Sequence, residues 1–464
     1  MKKHYHFIGI GGIGMGTLAS LLLAKGHKVS GSDLKDGELT SFLKKNGAHI
    51  TISHHASNIQ KPDYVVYSSA IRVNNPELIE SVSRHIPVLK RAEVLAQLVN
   101  EQIGVTIAGA HGKTTTTSMV SYMLMGAGLE PTTAVGGLIN NGGVSYNANL
   151  GQGKYFVAEA DESDGTFLYF KPHYSIITNI DFEHVDYYKD WEGILNAYRK
   201  FVTCTVKGGC LIACGEDKNL EAIIREQGQQ AVFYGFDPRM DVYAKNITTD
   251  GFCSRFTCMT KEGVFGDFQL SVPGRHNILN ALACIALGRR LGIDREVMAK
   301  ALRDFTGVKR RFQLKGNVDG VMVVDDYGHH PTEIKATLNA ARLFEGRRLI
   351  TVFQPHRYSR TKFLLDEFVE SLSGTDQLIL TDIYAASEKI TDGVGTTVLL
   401  EKLQQTLRHR VTYLKKEQIL EYLNGHVQPN DLVLFLGAGD IYHLSDDLVK
   451  ALHAKSALHA GKAL

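Results

Sequence analysis

Two glycine-rich turns, each placed between an apolar run and a helical segment, constrain the fold of this chain more than any other feature. The first is GIGGIG at residues 9–14, and the second is GAHGKT at residues 109–114. A strand, a glycine turn and a helix in this order are typical of parallel α/β sheets, where the turn lies at the carboxyl edge of the sheet. Backbone amides and the helix dipole attract anions at such a turn. The sequence therefore predicts α/β sheets with two anion-binding turns.

The apolar runs fall into three series, which suits a chain of 464 residues because one hydrophobic core rarely organises so many. Short alternating strands between residues 235 and 273, such as GFCSRFTCM, interrupt the second series. We expect an α/β protein of three domains. They are a Rossmann-like domain at 1–103, a central P-loop ATPase-type parallel sheet with a small antiparallel flap at 104–307, and a Rossmann-like domain at 308–464.

Composition excludes several classes of partner. The net charge of +2 provides no whole-protein field for nucleic acid or an anionic membrane. No uninterrupted apolar run approaches the ~20 residues that span a bilayer, and the glycines in the first apolar stretch argue against a secretory leader. The six cysteines form no CxxC pair, so we expect them to be reduced. We expect a cytoplasmic protein that binds small molecules, with no nucleic-acid or membrane partner, as a monomer or weak homodimer.

The second turn is a shortened phosphate loop. It has two residues between its first glycine and the Gly-Lys pair, whereas the usual P-loop has four. Lys113 would meet the outer phosphates and Thr114 would offer its hydroxyl to magnesium. On these residues alone, a threonine-rich helix start with a surface lysine explains the pattern equally well.

Polar residues after the next two strands favour the nucleotide site. Glu159 and Asp161 follow one apolar run, and Asn179, Asp181 and His184 follow the next. The carboxyl ends of parallel strands meet at one edge of a sheet, so these side chains should lie beside the phosphate loop. The sequence therefore predicts a magnesium–nucleotide site.

The first turn has the GxGxxG spacing of a dinucleotide fingerprint, with Asp33 nineteen residues after Gly14. This signal alone indicates a pyrophosphate across the first helix without identifying the nucleotide. One pyrophosphate turn and one triphosphate loop suggest two different nucleotides. One would be consumed in the reaction, and the other would be the part of the substrate by which the protein binds it.

Nine segments along the chain resemble the Mur ligases. They are GIGGIGM, SSAI, GAHGKTTTT, AEADESDG, HNILNA, VKRRFQ, DDYGHHPTEI, FQPHRYSRT and LGAGDI. In that family the shortened GxxGKT is the normal form of the loop. The resemblance implies an ATP-driven amide synthesis in which the γ-phosphate passes to the lactyl carboxylate of UDP-N-acetylmuramate and the amine of L-alanine displaces it. ATP and Mg²⁺ are the implied cosubstrate and cofactor.

The resemblance also implies roles for individual residues. The catalytic set is Lys113, Glu159, His184 and Arg311. The ATP contacts are Gly109, Ala110, His111, Gly112, Lys113, Thr114, Thr115, Asn277, Asn280, Arg311 and Asp326. The magnesium ligands are Thr114, Glu159 and His184. The UDP-sugar contacts are Gly11, Gly12, Ile13, Gly14, Asp33, Ser69 and Arg91. The amino-acid contacts are Tyr327, His329, Arg357 and Arg360.

Other interpretations remain open at this stage. A recycling ligase of the same family attaches a ready-made peptide to the same UDP-sugar, and GxGxxG with Asp33 also suits an NAD-dependent oxidoreductase. A non-catalytic nucleotide sensor is a third possibility. Arg357 or Arg360 alone would be an ordinary surface cation, and His330 would simply cap the helix that begins at Pro331.

Overall fold

The computed structural model describes residues 2–68, 70–141, 144–386, 388 and 395–462. Its contacts divide the chain into two compact units. Unit 1 comprises Met1–Ile247, Phe256–Gln269 and Leu279–Phe305, and unit 2 comprises Thr248–Arg255, Leu270–Ile278 and Thr306–Leu464.

The first sheet of unit 1 has the order β3-β2-β1-β4-β5, and its neighbouring strands are all parallel. Its strands are β1 His4–Ile8, β2 Lys28–Asp33, β3 His49–Ile52, β4 Tyr64–Tyr67 and β5 Val88–Lys90. Its helices are α1 Ile13–Ala24, α2 Glu38–Lys45, α3 Pro76–Ser83 and α4 Arg91–Asn100, with a 3₁₀ turn at Ala56–Asn58. Gly12 is the N-cap of α1, so the GxGxxG turn joins β1 to the helix N-terminus as predicted.

The second sheet has the order β15-β14-β13-β12-β11-β10-β6-β9-β7-β8. Its strands are β6 Ile103–Ala108, β7 Thr132–Asn141, β8 Val144–Asn149, β9 Tyr155–Glu159, β10 Tyr174–Ile177, β11 Cys210–Cys214, β12 Ala231–Gly235, β13 Val242–Asp250, β14 Cys253–Thr260 and β15 Gly263–Leu270. Pairing is parallel from β13 through to β7. Two-residue connections follow β13 and β14, and such short connections join antiparallel neighbours. These strands are the predicted flap.

Helices lie between these strands and after the last of them. They are α5 Lys113–Gly126, α6 Val185–Tyr188, α7 Trp191–Phe201, α8 Lys218–Glu226, α9 Arg275–Leu291 and α10 Arg295–Asp304, with a 3₁₀ turn at Thr166–Tyr169. The side chain of Asp190 accepts a hydrogen bond from Gly193 N at the start of α7, and Asp217 does the same for Asn219 N and Leu220 N at α8. These aspartates satisfy amides that have no partner inside the helix.

The sheet of unit 2 has the order β16-β17-β21-β18-β19-β20, parallel except for the β16–β17 pair. Its strands are β16 Gln313–Val318, β17 Val321–Asp326, β18 Arg348–Phe353, β19 Gln377–Leu380, β20 Val411–Tyr413 and β21 Asp431–Leu436. Its helices are α11 Pro331–Ala341, α12 Tyr358–Phe363, α13 Leu365–Leu372, α14 Thr396–Leu407, α15 Lys416–His426 and α16 Tyr442–Lys462, with a 3₁₀ turn at Arg408–Arg410.

Both faces of this third sheet are buried. Along β21, Leu432, Leu434 and Leu436 pack into one apolar cluster, whereas Val433 and Phe435 pack into another. Successive side chains of a strand point to opposite faces, so a strand covered on both sides is apolar throughout and loses the polar alternation of an exposed sheet. The uninterrupted run DLVLFL is the sequence signature of this environment.

The predicted α/β fold class is confirmed: the first and third sheets are Rossmann-like, and the second is a parallel-rich sheet that carries the phosphate loop. The sequence did not predict the β7–β8 pair or the antiparallel edge strand β16. All six cysteines are free. Among the described residues, helices combining the length and apolar character needed to cross a bilayer do not occur.

Candidate active site

The phosphate loop occupies the turn between β6 and α5. Gly109 has φ +128° and Gly112 has φ +84°, values that side-chain-bearing residues rarely adopt. A Cβ on Gly109 would overlap Thr178 Oγ1, and a Cβ on Gly112 would lie 2.7 Å from Asn280 Oδ1. Both glycines are therefore required by conformation and by space, and the two-residue spacing forms a tight strand–turn–helix.

Residues after β10 hold this loop in place. Asn179 Oδ1 accepts a hydrogen bond from His111 N at 2.9 Å, and Asn179 Nδ2 donates to His111 O at 2.9 Å. Thr178 Oγ1 donates to the same carbonyl at 2.6 Å. His111 Nε2 lies 2.7 Å from Asp181 Oδ2. The polar residues that the sequence placed at this strand end thus lie beside the loop, and they fix its backbone.

Lys113 lies across the loop and is paired with a carboxylate. Its Nζ donates to Gly109 O at 2.6 Å and to the two carboxylate oxygens of Glu162 at 2.9 and 3.0 Å. Burial would lower the pKa of Lys113, but the charges of Glu162 and Asp161 outweigh it and raise this pKa. Sequence reasoning did not assign Glu162, although it is the third acidic residue of AEADESDG. An anionic ligand in the loop would compete with Glu162 for the ammonium.

A cluster of metal-ligand side chains lies next to this ion pair. One ligand atom each from Asp161, Glu162 and His184 lies within 4.8 Å of the others. Burial would lower the pKa of His184, but its hydrogen bond to Glu162 and the charges of Glu162 and Glu183 raise it. Two carboxylates suit the oxygen preference of Mg²⁺, and the imidazole adds a nitrogen donor. The donor set therefore fits a divalent cation.

The other two predicted magnesium ligands lie together. Glu159 Oε1 accepts a hydrogen bond from Gly136 N at 2.7 Å, and the hydroxyl of Thr114 lies near enough to favour the charged form of Glu159. Burial raises the pKa of Glu159. The structure thus groups Thr114 with Glu159, and His184 with Asp161 and Glu162. From the sequence, Asp161 was expected beside the phosphate loop but was not assigned as a magnesium ligand.

The GxGxxG turn is organised by Asp33. Gly11 N donates to Asp33 Oδ2 at 2.8 Å, and Asp33 Oδ1 accepts from Lys35 N at 3.3 Å. A Cβ on Gly14 would lie 3.1 Å from Arg91 Nη1, so the arginine lies against the turn. Ser69 falls outside the described residues.

One cavity connects this turn to the acidic residues of the second sheet. It has a volume of about 560 Å³, and its walls include Gly11, Gly14, Asp33, Arg91, Glu159 and Asp161. A molecule bound by its diphosphate at the glycine turn would therefore extend toward the carboxylates next to Lys113. Ligand sites of this size commonly combine an apolar wall with a few convergent polar groups.

Helix α9 carries the two asparagines predicted to contact adenine. Asn280 Oδ1 accepts a hydrogen bond from Thr116 Oγ1 at 3.1 Å, which places it against the first turn of α5. Asn277 Nδ2 donates to Pro273 O at 2.6 Å. Thr115, another predicted ATP contact, is half-buried in the same turn of α5.

In unit 2, Arg311 and Asp326 have defined partners. Arg311 Nη1 lies 3.1 Å from Glu333 Oε1, and its guanidinium carbon lies 5.1 Å from the ring centroid of Tyr327. Asp326 accepts hydrogen bonds from Phe312 N at 2.6 Å and Gly328 N at 2.7 Å. Burial raises the pKa of Asp326. This carboxylate organises the turn after β17.

The residues predicted to contact the amino acid form an aromatic and cationic cluster. The ring centroids of Tyr327 and His329 are 5.3 Å apart, and those of His329 and His356 are 5.6 Å apart. Arg360 Nη1 lies 3.2 Å from His356 Nδ1. Burial, together with the charges of nearby cationic groups, lowers the pKa of His356 to about 3, so its ring is a neutral acceptor. A guanidinium held in this way can bind a carboxylate.

Arg357 and His330 are the N-caps of two helices in unit 2. Arg357 has φ +72° and is the N-cap of α12, so the chain turns sharply before the helix that carries Arg360. His330 Nδ1 accepts from Thr332 N at 3.4 Å as the N-cap of α11. The capping interpretation of His330 is confirmed. Sequence reasoning gave no role to His356, although it lies in the quoted segment FQPHRYSRT.

Three family models match the chain in succession. "Mur ligase family, catalytic domain" matches residues 4–103, "Mur ligase middle domain" matches residues 107–288, and "Mur ligase, glutamate ligase domain" matches residues 310–439. Together they cover most of the sequence.

Curated relatives and solved structures agree with these matches. A UDP-N-acetylmuramate–L-alanine ligase from Trichlorobacter lovleyi is 46% identical over 450 residues, covering 96% of this chain and 98% of the relative. One from Geotalea daltonii is 45% identical over 451 residues, covering 97% and 98%.

Among solved structures, a UDP-N-acetylmuramate-alanine ligase from Thermotoga maritima is 30% identical with a TM-score of 0.82, covering 98% of this chain and all of that one. A murein peptide ligase from Psychrobacter arcticus is 25% identical with a TM-score of 0.68, covering 97% and 98%. The resemblance seen in the sequence motifs is confirmed, and this chain belongs to the Mur ligase family.

Proposed function

We propose that this protein is an ATP-dependent carboxylate–amine ligase that joins L-alanine to the lactyl carboxylate of UDP-N-acetylmuramate in peptidoglycan precursor synthesis. ADP and phosphate are the other products. The single observation that carries the proposal is the cavity that runs from the GxGxxG turn to Glu159 and Asp161 beside the phosphate loop. A sugar nucleotide held at the turn presents its acid where a γ-phosphate would lie.

The chemistry requires no covalent enzyme nucleophile. A carboxylate oxygen of the substrate attacks the γ-phosphorus, the bond to the bridging oxygen breaks, and ADP leaves with that electron pair. The amine of L-alanine then attacks the acyl carbon, inorganic phosphate departs, and the amine loses a proton. The protein positions the reactants and neutralises charge on the migrating phosphoryl group, which are the dominant tasks in phosphoryl transfer.

The residues of the chain divide these tasks. Lys113 donates to the outer phosphates in place of Glu162, while Arg311 neutralises further phosphate charge. Magnesium ions would be held by two groups of residues, one formed by Thr114 and Glu159 and the other by His184, Asp161 and Glu162. When bound, they neutralise charge on phosphate oxygens and orient them. The arginines Arg357 and Arg360 bind the carboxylate of L-alanine between Tyr327 and His329.

The remaining contacts complete the proposal. ATP is held by the loop at residues 109–115 together with Asn277, Asn280 and Asp326, and the UDP portion by residues 11–14 with Asp33, Ser69 and Arg91. We propose that residues 1–103 form the UDP-sugar-binding domain, residues 104–307 the central ATP-binding domain, and residues 308–464 the amino-acid-binding domain. We also propose a cytoplasmic location and a monomer or weak homodimer.

Phosphate release tests the proposed function. The protein is incubated with ATP, Mg²⁺ and UDP-N-acetylmuramate, and then with either L-alanine or the tripeptide that a recycling ligase would use. Release that depends on L-alanine is expected, with formation of the amide detected by mass spectrometry. Release that depends on the tripeptide alone would instead assign the recycling activity.

An NADH titration tests the oxidoreductase alternative. In the dinucleotide fingerprint, the acidic residue binds a ribose hydroxyl, whereas here both Asp33 carboxylate oxygens accept backbone hydrogen bonds. Saturable binding of NADH is not expected. Micromolar NADH affinity without amino-acid-dependent ATP hydrolysis would overturn the proposed function.

A further inference from the structure

Arg310 lies between two tyrosine rings and two backbone carbonyls. Its guanidinium carbon is 4.8 Å from the ring centroid of Tyr327 and 4.2 Å from that of Tyr442. Its Nη2 donates to Gly437 O at 2.7 Å and to Gly439 O at 3.2 Å. One guanidinium thus joins the VKRRFQ segment to the turn after β17 and to LGAGDI, the quoted motif that otherwise has no role.

Asp325 faces this guanidinium from the buried end of β17. Its side chain is 0% exposed, and Oδ2 lies 3.6 Å from Arg310 Nε. Within the part of the chain that the structure describes, neither carboxylate oxygen has a hydrogen-bond partner, and Arg310 Nε has none either. A buried carboxylate without hydrogen bonds costs free energy. Burial raises the pKa of Asp325 to about 7, and the charge of Arg310 opposes this rise, so the charged form of Asp325 depends on Arg310.

The backbone ties Arg310 to the candidate site as well. Tyr327 N donates to Arg310 O at 2.7 Å, and Arg310 itself has φ +62°, a left-handed conformation that needs support in a residue with a side chain. The ring of Tyr327 is in contact with Arg310 and also with Arg311, whose guanidinium carbon lies 5.1 Å from its centroid. A shift of Arg310 would therefore disturb the positions of both Tyr327 and Arg311.

We propose that Arg310 and Asp325 are positioning residues for amino-acid binding, because they fix the ring of Tyr327 between the guanidinium groups of Arg310 and Arg311. This inference rests on the proposed function and adds two residues to it. Arg310 acts through the ring and the backbone of Tyr327, and Asp325 acts by holding the charge of Arg310 in place. Neither residue is assigned a contact with a substrate.

Steady-state kinetics of three variants test this inference. Arg310→Gln is expected to raise KM for L-alanine by about tenfold and to change KM for UDP-N-acetylmuramate by less than about twofold. Arg310→Lys keeps a charge opposite Asp325 but lacks the planar fork, so its KM for L-alanine should lie between wild type and Arg310→Gln. Asp325→Asn should raise the same KM by severalfold.

A matched control separates positioning from general stability. Arg347 also donates from Nη1 to backbone carbonyls, to Gly320 O at 2.8 Å and to Asp431 O at 3.3 Å, where the strands of the same sheet begin. Arg347→Gln is expected to lower the unfolding temperature without changing KM for L-alanine. Unchanged KM for L-alanine in Arg310→Gln, or an equal rise in Arg347→Gln, would overturn the inference while leaving the proposed function intact. Wild-type protein without L-alanine-dependent turnover would overturn both.

Discussion

Lys113 and Glu162 form a partly buried ion pair inside the candidate nucleotide site, with Nζ lying 2.9 and 3.0 Å from the two carboxylate oxygens. The same carboxylate lies 3.5 Å from His184 Nε2. Glu162 therefore connects the phosphate loop with the metal-ligand cluster. Binding of a nucleotide or a cation would change these contacts, since the carboxylate of Glu162 cannot pair fully with Lys113, His184 and a cation at the same time.

Lys113→Met should abolish phosphate release, because the variant lacks the ammonium that is proposed to donate to the outer phosphates. It should also lower the free energy of unfolding by about 3 kcal/mol, since the buried carboxylate of Glu162 loses its ammonium partner. Phosphate assays and urea unfolding measure the two effects separately. Retained turnover would contradict the role of Lys113.

A double variant distinguishes the catalytic loss from the loss of stability. Lys113→Met combined with Glu162→Gln removes both charges, so much of the lost stability should return. Turnover should stay absent, because both the ammonium of Lys113 and the proposed magnesium ligand Glu162 are missing. If turnover returned with stability, the effect of Lys113 would be structural.

Glu159→Gln should raise the Mg²⁺ concentration that gives half-maximal activity by about tenfold or more, because an amide is a weaker ligand than a carboxylate. Magnesium titrations at saturating substrates measure this shift. Glu192→Gln, at an exposed glutamate paired with Arg199, is the matched control. An unchanged magnesium requirement in Glu159→Gln would argue against its assignment as a ligand.

Arg360→Ala should raise KM for L-alanine by about tenfold or more, since a charge-assisted hydrogen bond to the amino-acid carboxylate is lost. Arg342→Ala removes an arginine of the same unit that pairs with Asp376 near the surface, and it should leave this KM unchanged. An effect of Arg360→Ala confined to KM for ATP would contradict the assignment.

Stability should fall at acidic pH because of His276. Burial and the charge of Arg311 lower its pKa to about 4, whereas an unfolded histidine titrates near 6.5. Between these values the unfolded chain binds more protons, so the free energy of unfolding decreases as pH falls. The loss from this residue between pH 7 and pH 5 is about 2 kcal/mol.

Unfolding of His276→Gln at the two pH values measures this contribution. The variant should lose less stability on acidification than wild type. His409→Gln, at an exposed ring, is the control for loss of an imidazole. Equal acid sensitivity in wild type and His276→Gln would exclude the imidazole of His276 as the source of the acid sensitivity.

The parallel sheets were predictable because their strands are short apolar runs separated by helical segments. Strand β7 was missed because its sequence, TTAVGGLINN, carries glycines and asparagines that are uncommon in strands. Strand β16, QLKGNV, is only partly buried and has a bulge after Leu314. Such edge strands owe their conformation to a neighbour, which local sequence patterns do not reveal.

The candidate site was predictable where chemistry follows a strand end or a glycine turn. Lys113 and Glu159 fall in this group. Glu162 and His356 lie inside segments that were recognised as motifs, but their roles depend on which side chain turns toward Lys113 or Arg360. The pair of Arg310 and Asp325 depends on how the chain before β16 packs against β17 and against Gly437 and Gly439, and spacing alone could not indicate it.

The hydrogen bond between Thr116 and Asn280 spans 164 residues of chain. The nucleotide loop is therefore supported from a helix that leaves the ribosome long after the loop itself. During synthesis, the glycine turn lacks this hydrogen bond until the intervening strands and α9 have been made. Contacts between residues so far apart in sequence slow folding. A nascent chain that ends before α9 would contain every residue of the GAHGKT motif but would still lack Asn280, the side chain that lies against Gly112.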